Sequence, residues 1–487
     1  MTKRRMSITA SAAALALLSH GQASADTLTE ALAKAYRTNP TLTGARAAQR
    51  ANDENVPIER SAGLPNVNAG GSYTENLRGS GVSIDRFSRA VNGGVNLTVP
   101  IYQGGAVANS VNAAKARVAA GQADLRGTEA SLFSAVVAAY MNVIRDSAIV
   151  ALNQSNVRAL VVNLEATRDR FEVGDLTRTD IAQSESRLAL ARSDLQGAEA
   201  RLISARENYV RLVGDVPVDL QPPPPLPNLP VSPDDAVDVA MAGNPDIAAA
   251  RKVRDAAAYD VKVARASRLP TLSATADGGY VDYLGSLDLV PGGGSSPTQS
   301  GTTAAAGVTA TIPLFQGGRP AALIRQAQAR ESQSIEQAIE VERGVIAQTR
   351  AAYASWRAAN EVIASSQVAV DATQLSLEGV RAENTVGTRT ILDILNAEQE
   401  YLNAQVQLVS ARRDAYVAGF SLLAAMGRAE AQDLGLDGGA LYDPVANYER
   451  VKGRIWDWDS DPAPQPQSTS TVDTPAQNSI VGPLDRN

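Results

Sequence analysis

The residue types that carry most enzyme chemistry are nearly absent from this 487-residue sequence. It contains no cysteine and a single histidine, His20, near the N-terminus. Ser-His-Asp and Cys-His catalysis and the usual zinc sites therefore lack their essential side chains. We find no phosphate-binding P-loop and no glycine-rich dinucleotide motif, and no Asp/Glu pair stands apart from the helical charge pattern. The sequence predicts no enzyme activity, no cofactor and no metal.

Charged and hydroxyl side chains do recur beside two glycine turns, Gly174 and Gly387, which lie 213 residues apart. Each glycine follows a long helix-forming stretch, and glycine suits the left-handed conformation that ends a helix. Residues that can cap the next helix stand just after the turns: Asp175, Thr177, Thr388 and Thr390. A carboxylate recurs six residues beyond each glycine, as Asp180 and Asp393. Helix reversal explains the glycines and threonines, whereas the recurring carboxylates predict a charged site.

The first 25 residues have the features of a cleaved secretory signal. Residues 3–5 are basic, residues 8–18 are apolar, and residues 23–25 are a small-residue cleavage site. The apolar run is shorter than the roughly 20 residues that span a bilayer. No later stretch approaches 18 apolar residues, so we expect no inner-membrane helix, and without cysteine there is no lipoprotein anchor. The formal net charge of −7 argues against nucleic acid as a partner.

The rest of the chain is an internal duplication. Asn39-Pro40 recurs as Asn244-Pro245, and the run VPIYQGG at 99–105 recurs as IPLFQGG at 312–318. The offset grows from 205 to 213, which places eight extra residues in a Gly/Ser-rich stretch around 291–294. We predict a first repeat (26–220), a proline-rich linker (221–231) and a second repeat (232–430). A C-terminal segment (431–460) and a disordered, Pro/Ser/Thr-rich tail (461–487) follow.

Each repeat is predicted to contain a helix, two strands and two very long helices. Residues 91–101 alternate apolar with small or polar side chains, as do 308–314, 66–74 and 271–277. This alternation is typical of membrane-barrel strands, which need about 9–11 residues, although one such strand also suits a soluble sheet with a wet face. Aromatic residues at the strand ends could form an interfacial girdle: Tyr73, Tyr102, Tyr280, Tyr283 and Phe315. Four strands cannot close a barrel in lipid, so the strands predict a dimer, trimer or tetramer.

The helical stretches predict coiled coils. Residues 105–174 lack proline and would form a helix approaching 100 Å at about 1.5 Å per residue. Its copy extends from 319 to about 384. In the return helices, apolar residues recur every seven positions, from Ile181 to Tyr209 and from Ile394 to Leu422. A sustained seven-residue repeat indicates left-handed coiled-coil packing.

Residues 171–180 (FEVGDLTRTD) and 385–396 (TVGTRTILDILN) resemble the two tip motifs of the TolC outer-membrane efflux family. The resemblance extends from about residue 28 to 427. It implies a mainly α fold with a membrane β-barrel: a homotrimer whose protomers each give four strands to one twelve-stranded barrel, above a coiled-coil tunnel crossing the periplasm. An equatorial region would surround the linker and residues 431–460. The implied function is a passive outer-membrane export channel, driven by an inner-membrane RND or ABC transporter through a periplasmic adaptor (membrane fusion protein). Drug efflux and type I secretion both remain open.

Carried over by position, the resemblance implies a periplasmic gate at the tunnel tip. Its residues would be Thr179, Asp180, Asn384, Arg389, Asp393 and Asn396. Arg389 would pair with Thr179 and Asp180, and three copies of Asp393 would form a cation-favouring ring. Asn384 replaces a tyrosine of the best-known member, and Asn396 replaces a second aspartate ring. We therefore predict a weaker latch and a less negative constriction.

The alternative is a periplasmic coiled-coil adaptor or structural protein without a pore. It would share the signal and the heptads, but would be expected to have one hairpin and lipoyl-like or soluble β domains. The duplicated plan with four alternating strands favours the channel.

Overall fold

The computed structural model describes residues 26–77, 87–287, 298–436 and 441–481. The predicted signal and residues 291–294 lie outside these ranges. The first repeat contains α1 (Leu28–Thr38), α2 (Pro40–Asp53), α3 (Asn55–Ser61), β1 (Asn66–Glu75), β2 (Arg89–Gln103), α4 (Ala106–Glu172) and α5 (Arg178–Val213). The second contains α6 (Pro233–Gly243), α7 (Pro245–Ala266), β3 (Thr271–Asp282), β4 (Ser300–Thr311), α8 (Arg319–Thr385) and α9 (Ile391–Ala425), and α10 (Pro444–Val451) follows.

The prediction of one helix before the strands is wrong in both repeats, because each Asn-Pro pair divides that region. The Asn39 side chain caps α2 by accepting a hydrogen bond from the Thr41 N–H at 2.9 Å. The Asn244 side chain does the same for the Asp246 N–H at the start of α7, also at 2.9 Å. Proline suits the first helical position because it has no N–H to donate. Asn-Pro thus marks a helix boundary as well as the duplication.

Only one helix of each repeat has the very great length that the sequence predicted. α4 and α8 contain 67 residues each, or about 100 Å at about 1.5 Å per residue. The return helices α5 and α9, with 36 and 35 residues, are about half as long. α5 ends at Gly214, whose φ of 84° is left-handed, before the proline-rich linker. The remaining length of α4 packs against the short helices α2, α3 and α7, and α7 also packs against α8.

The four strands form one antiparallel sheet in the order β1-β2-β3-β4, so the β2–β3 pairing joins the two repeats. Asn68, Asn96 and Asp277 are aligned across three strands on a polar face, and Val67, Leu97 and Ala276 are aligned on the apolar face. β4 is exposed along its whole length, and no layer of the described chain covers either face. A soluble sheet with one solvent-exposed face would bury its other face, and neither face of this sheet is buried in the described chain.

β4 ends earlier than its sequence pattern predicts. Ile312 and Leu314 continue the alternation but lie beyond its last residue, Thr311. In the first repeat β2 continues to Gln103 because β3 pairs with it there, past an irregularity after Pro100. β4 has β3 on one side only, and that pairing ends at Thr311. Leu314 is consequently 93% exposed.

The main hydrophobic core lies around the middle of α4, where it meets α1, α5 and the end of α9. Tyr140, Tyr209, Phe133 and Phe420 are its largest buried side chains. α4 also contains an 18-residue window with a mean hydropathy of 1.5, although we expected no such stretch after the signal. More than half of that window is buried inside the protein (56%), which is typical of a core helix.

The C-terminal tail differs from its prediction of disorder. Residues 461–481 contain neither helix nor strand, but they lie against α5. The Arg206 guanidinium donates to the Asn478 and Ile480 carbonyls at 2.6 and 2.9 Å, and the Glu207 carboxylate accepts from the Gln477 N–H at 2.9 Å. The contacts use main-chain groups of the tail and charged side chains of α5, so the composition of the tail gives no signal for them.

Gly427, just after α9, tests the packing of the second repeat. Its φ is +70°, and a Cβ there would lie 2.6 Å from the Gly243 carbonyl oxygen. Gly427→Ala should therefore destabilise the folded protein by about 1–3 kcal/mol, through backbone strain and a clash with main chain. Thermal unfolding followed by circular dichroism measures the effect. The control is Gly344→Ala on α8, where a Cβ meets nothing within 4 Å and should stabilise by about 0.5–1 kcal/mol. Equal midpoints for the two variants would contradict the prediction.

Candidate functional site: the tip of the two helical hairpins

The two helical hairpins, α4–α5 and α8–α9, reverse at Gly174 and Gly387. Their φ values are +85° and +82°, and a side chain would meet nothing within 4 Å at either position. Each turn is closed by a backbone hydrogen bond, from the Asp175 N–H to the Arg170 carbonyl at 2.9 Å and from the Thr388 N–H to the Glu383 carbonyl at 3.1 Å. Glycine is required by the left-handed backbone and not by lack of space.

Asp180 and Asp393 each take part in a reciprocal helix cap. The Asp180 carboxylate accepts from the Thr177 N–H at 2.8 Å, and the Thr177 hydroxyl accepts from the Asp180 N–H at 3.3 Å. Thr390 and Asp393 repeat the arrangement at 2.9 and 3.3 Å. Hydrogen bonds from the threonine N–H and hydroxyl hold the pKa of both carboxyls below its ordinary value. The recurrence that suggested a charged site therefore also has a capping explanation.

An Arg–Glu pair joins the two helices of each hairpin at equivalent positions. Arg168 donates to Glu185 at 2.6 Å, and Arg381 donates to Glu398 at 2.9 Å. The Glu398 side chain is 5% exposed, and its two carboxylate oxygens also accept from the Asn163 amide of α4 at 2.8 and 2.9 Å. Glu398 thus connects the hairpins. The sequence carries a signal for this residue, because a glutamate stands at the equivalent position of the first repeat, Glu185.

Near the tip, two further hydrogen bonds connect the described parts of the hairpins, and both involve asparagines that the sequence singled out. Asn384 accepts from the Arg170 guanidinium at 3.3 Å, while the same arginine forms an ion pair with Asp175 at 2.7 Å. Asn396 accepts from the Arg187 guanidinium of α5 at 2.6 Å. Sequence reasoning missed Arg170 and Arg187, since nothing in their local pattern distinguishes them from other exposed helical arginines.

The predicted contact of Arg389 with Thr179 and Asp180 does not occur within one chain. Arg389 instead donates to the Glu383 carboxylate at 2.7 Å, on its own hairpin, and this contact raises the pKa of the guanidinium. Thr179 is exposed, and its side chain has no hydrogen-bond partner in the part of the chain that the structure describes. Any pairing of these three residues must therefore involve a second copy or a different tip conformation.

An apolar cluster below these polar groups holds the hairpins together. Its buried members are Leu160, Leu164, Leu188, Ala191, Ile391, Ile394 and Leu395. Leu188, Ala191 and Ile394 belong to the seven-residue repeats read from the sequence. The heptads of the return helices therefore pack across the hairpins, and they bring the polar groups of the tip within reach of one another.

Comparisons with known proteins agree with this architecture. The family model for outer membrane efflux proteins matches residues 31–215 and 236–428. The outer membrane efflux protein BepC of Brucella suis is 36% identical over 436 residues, which cover 89% of this chain and 92% of BepC. The outer membrane protein TolC of Escherichia coli is 27% identical over 440 residues, covering 87% and 86% of the two chains. The solved CmeC outer membrane channel of Campylobacter jejuni has a TM-score of 0.72 at 18% identity, covering 88% of this chain and 89% of CmeC.

Duplicated hairpins, a sheet without a covered face and these matches together define a channel protein of the outer membrane. The chain belongs to the outer membrane efflux protein family. The predicted family, fold class and location are confirmed, and the adaptor alternative is wrong. The family consists of channel proteins rather than enzymes.

Removing the threonine of one cap should loosen the first turn of the helix that it begins. Thr390→Ala deletes the hydroxyl that accepts from the Asp393 N–H, and such a loss costs about 1 kcal/mol. Hydrogen exchange followed by mass spectrometry should show roughly five-fold faster exchange of the Asp393 amide, which is the N–H bonded to the Thr390 hydroxyl. Thr179→Ala is the control, because the Thr179 side chain has no hydrogen bond in the described chain and the variant should leave the first turn of α5 unchanged. Similar effects at both turns would argue against the cap.

Proposed function

We propose that three copies of this chain form the outer-membrane duct of a tripartite export system. The two unpaired edges of the sheet carry the proposal: β1 and β4 each have a neighbour on one side only. An open edge in lipid leaves backbone groups unsatisfied at several kcal/mol each. Pairing β4 of one copy with β1 of the next removes every edge. Membrane barrels need about eight strands or more, which two or three copies supply, and resemblance to the family favours three.

The helices extend this barrel into a passive conduit across the periplasm. We propose that an inner-membrane transporter of the RND or ABC type drives export, and that a periplasmic adaptor connects it to the hairpin tips. Outer-membrane lipid would surround the apolar face of the sheet, which includes Val67, Leu97 and Ala276. The substrates are small molecules or secreted proteins, since one outer duct serves either transporter.

We place the gate of this duct at the hairpin tip. In the resting state the inter-hairpin hydrogen bonds of Asn384, Asn396 and Glu398 keep the two hairpins side by side. Arg389 and Asp180 belong to different hairpins and are not paired within the chain, so we expect them to meet between neighbouring protomers. Three copies of Asp393 would place three carboxylates at the entrance, where they favour cations. Opening moves one hairpin away from the other and breaks these links.

Single-channel recording in a planar bilayer tests the duct. Purified protein should insert as a trimer and give a small cation-selective conductance, and its mass in detergent should correspond to three chains. A detergent-extracted trimer that never conducts would contradict the duct, and a conducting dimer would contradict only the proposed stoichiometry.

The arginines at the tip provide a matched test of the gate. Arg187→Ala removes a link between the hairpins, whereas Arg168→Ala removes a contact of equal length, 2.6 Å, within one hairpin. Exposed contacts of this kind contribute up to about 1 kcal/mol each. Arg187→Ala should therefore raise the open probability several-fold and Arg168→Ala should not. Single-channel recordings at fixed voltage distinguish them. Equal changes in both variants would show that loss of charge, and not separation of the hairpins, controls opening.

The pH dependence of ion selectivity tests the carboxylate ring. When folding lowers the pKa of a carboxyl, the ionised group stabilises its helix cap at pH values above the pKa of the unfolded chain, about 3.9. This stabilisation disappears as the pH falls through the lower pKa of the folded protein. Since the pKa of Asp393 is lowered, cation selectivity should stay constant from pH 7 to about 5 and decrease only below about 4. Thr390→Ala should move that loss to higher pH. Reversal potentials in a salt gradient measure the cation selectivity at each pH. Asp393→Asn is the control and should show low selectivity at every pH. Loss of selectivity near pH 6 would assign the charge to another group.

A further inference from the structure

A half-enclosed cavity of about 250 Å³ lies in the first repeat, far from the tip and the sheet. The side chains that line it come from α1, α2, α4 and the segment after α9, and the polar ones among them include Arg46, Gln122, Arg126, Glu129, Glu430 and Tyr442. This volume has room for several water molecules or for one small organic ion, at roughly 30 Å³ per water. It is too small for a drug-sized export substrate.

Among the described residues, none forms an ion pair with the Arg46 guanidinium, although the Glu129 carboxyl of the same cavity interacts with it electrostatically at longer range. Arg46 is 8% exposed, its carbon Cζ lies 4.2 Å from the ring centroid of Tyr36 and 5.0 Å from that of Tyr442, and its Nη2 atom donates to nothing. The two rings hold the guanidinium by cation–π contact, and its buried Nη2 has no hydrogen-bond partner among the described residues. Buried donors of this kind are normally satisfied.

A second unsatisfied group lies in the same cavity. The Tyr442 hydroxyl is buried and unpaired, so two of the six buried side-chain polar atoms that lack a partner among the described residues line this one space. The other charged groups of the cavity already have partners, and one carboxyl among them has a raised pKa. Arg126 forms an ion pair with Glu430 at 2.7 Å, and Glu129 accepts from the Ala431 N–H at 2.6 Å while burial raises the pKa of its carboxyl.

The duplication shows that this arrangement is not a general requirement of the fold. Arg251, the equivalent of Arg46 in the second repeat, is exposed on α7. The cavity exists in the first repeat because the segment after α9 supplies Glu430 and Tyr442 as a wall. A buried arginine with free donors, beside a free hydroxyl, is the donor set that recognises a planar pair of oxygen atoms.

We infer that this cavity binds a small carboxylate anion, with the Arg46 guanidinium and the Tyr442 hydroxyl as its hydrogen-bond donors. A small carboxylate there would pair with a guanidinium that forms no ion pair among the described residues, while Glu430 is already paired with Arg126 and the pKa of the Glu129 carboxyl is raised by burial. The site lies in the region that joins α1, α2 and α4 to the chain after α9. An occupant would therefore bind these segments together and stabilise the assembled protein, and this does not depend on the proposed transport function.

Acetate is the probe, and thermal unfolding of the detergent-solubilised protein is the first measurement. Ten-fold above its Kd, acetate should raise the unfolding midpoint by about 1–2 °C relative to chloride at equal ionic strength. Arg46→Met keeps the aliphatic packing and should abolish the rise, and Tyr442→Phe should reduce it. Arg251→Met is the matched control and should keep the full rise. An equal rise in wild type, Arg46→Met and Arg251→Met would identify a general salt effect and overturn the site.

Bromoacetate diffraction gives a second test that does not depend on variants that might fail to fold. Crystals of the wild-type protein, grown without carboxylate buffer and soaked in bromoacetate, should show anomalous bromine density in the cavity beside Arg46. Bromine found only at surface sites, or nowhere, would overturn the inference. The crystals contain the isolated protein, so bromine density in the cavity identifies a site for a free carboxylate. If the site instead receives a side-chain carboxylate of a partner protein, adding that partner should displace acetate and remove the thermal shift.

Discussion

Hydrogen bonding along the backbone of β1 and β4 is the constraint on which the rest of this structure depends. In the part of the chain that the structure describes, the sheet has two free edges and no covered face, so nothing there satisfies its outer N–H and C=O groups once lipid replaces water. The proposed assembly meets that requirement by pairing each chain with copies of itself. The β2–β3 pairing has already joined the two repeats, which leaves a single pair of edges per protomer to be closed by neighbours.

The helices show the same dependence on neighbours. α4 is the core helix of the isolated chain, and its middle is buried among α1, α5 and the end of α9. α8 has the same length but buries few side chains, and Val368 and Leu375, seven residues apart, are 67% and 70% exposed. Exposed apolar residues at heptad spacing need a partner helix. A ring of protomers provides one, so barrel closure and helix packing favour the same assembly.

Most of the fold could be predicted from the sequence because its determinants are local and periodic. Strand alternation, heptads and glycine turns each depend on residues within a few positions of one another. The residues that escaped prediction act across large separations: Asn163 meets Glu398, and Arg187 meets Asn396, more than two hundred residues away. Heptads fix which face of a helix is buried but do not show which long polar side chain reaches a neighbouring hairpin. Asp180 and Asp393 were noticed for their recurrence, and local capping accounts for that recurrence in the chain.

The duplication also explains how one plan serves two roles. Glu185 and Glu398 occupy equivalent positions, yet the first is exposed and makes a contact within its hairpin, whereas the second is buried and connects both hairpins. Arg46 and Arg251 also occupy equivalent positions, yet the first is buried against tyrosine rings and the second is exposed.

Most of the links at the tip are solvent-accessible, and such links contribute about 0–1 kcal/mol each. A partner that binds the separated hairpins even 100-fold more tightly than the closed ones supplies about 2.7 kcal/mol. That is comparable to the few polar links at the tip, but opening must also separate the buried apolar cluster that includes Leu160, Leu188 and Ile391, so docking at this affinity offsets only the polar part of the closure.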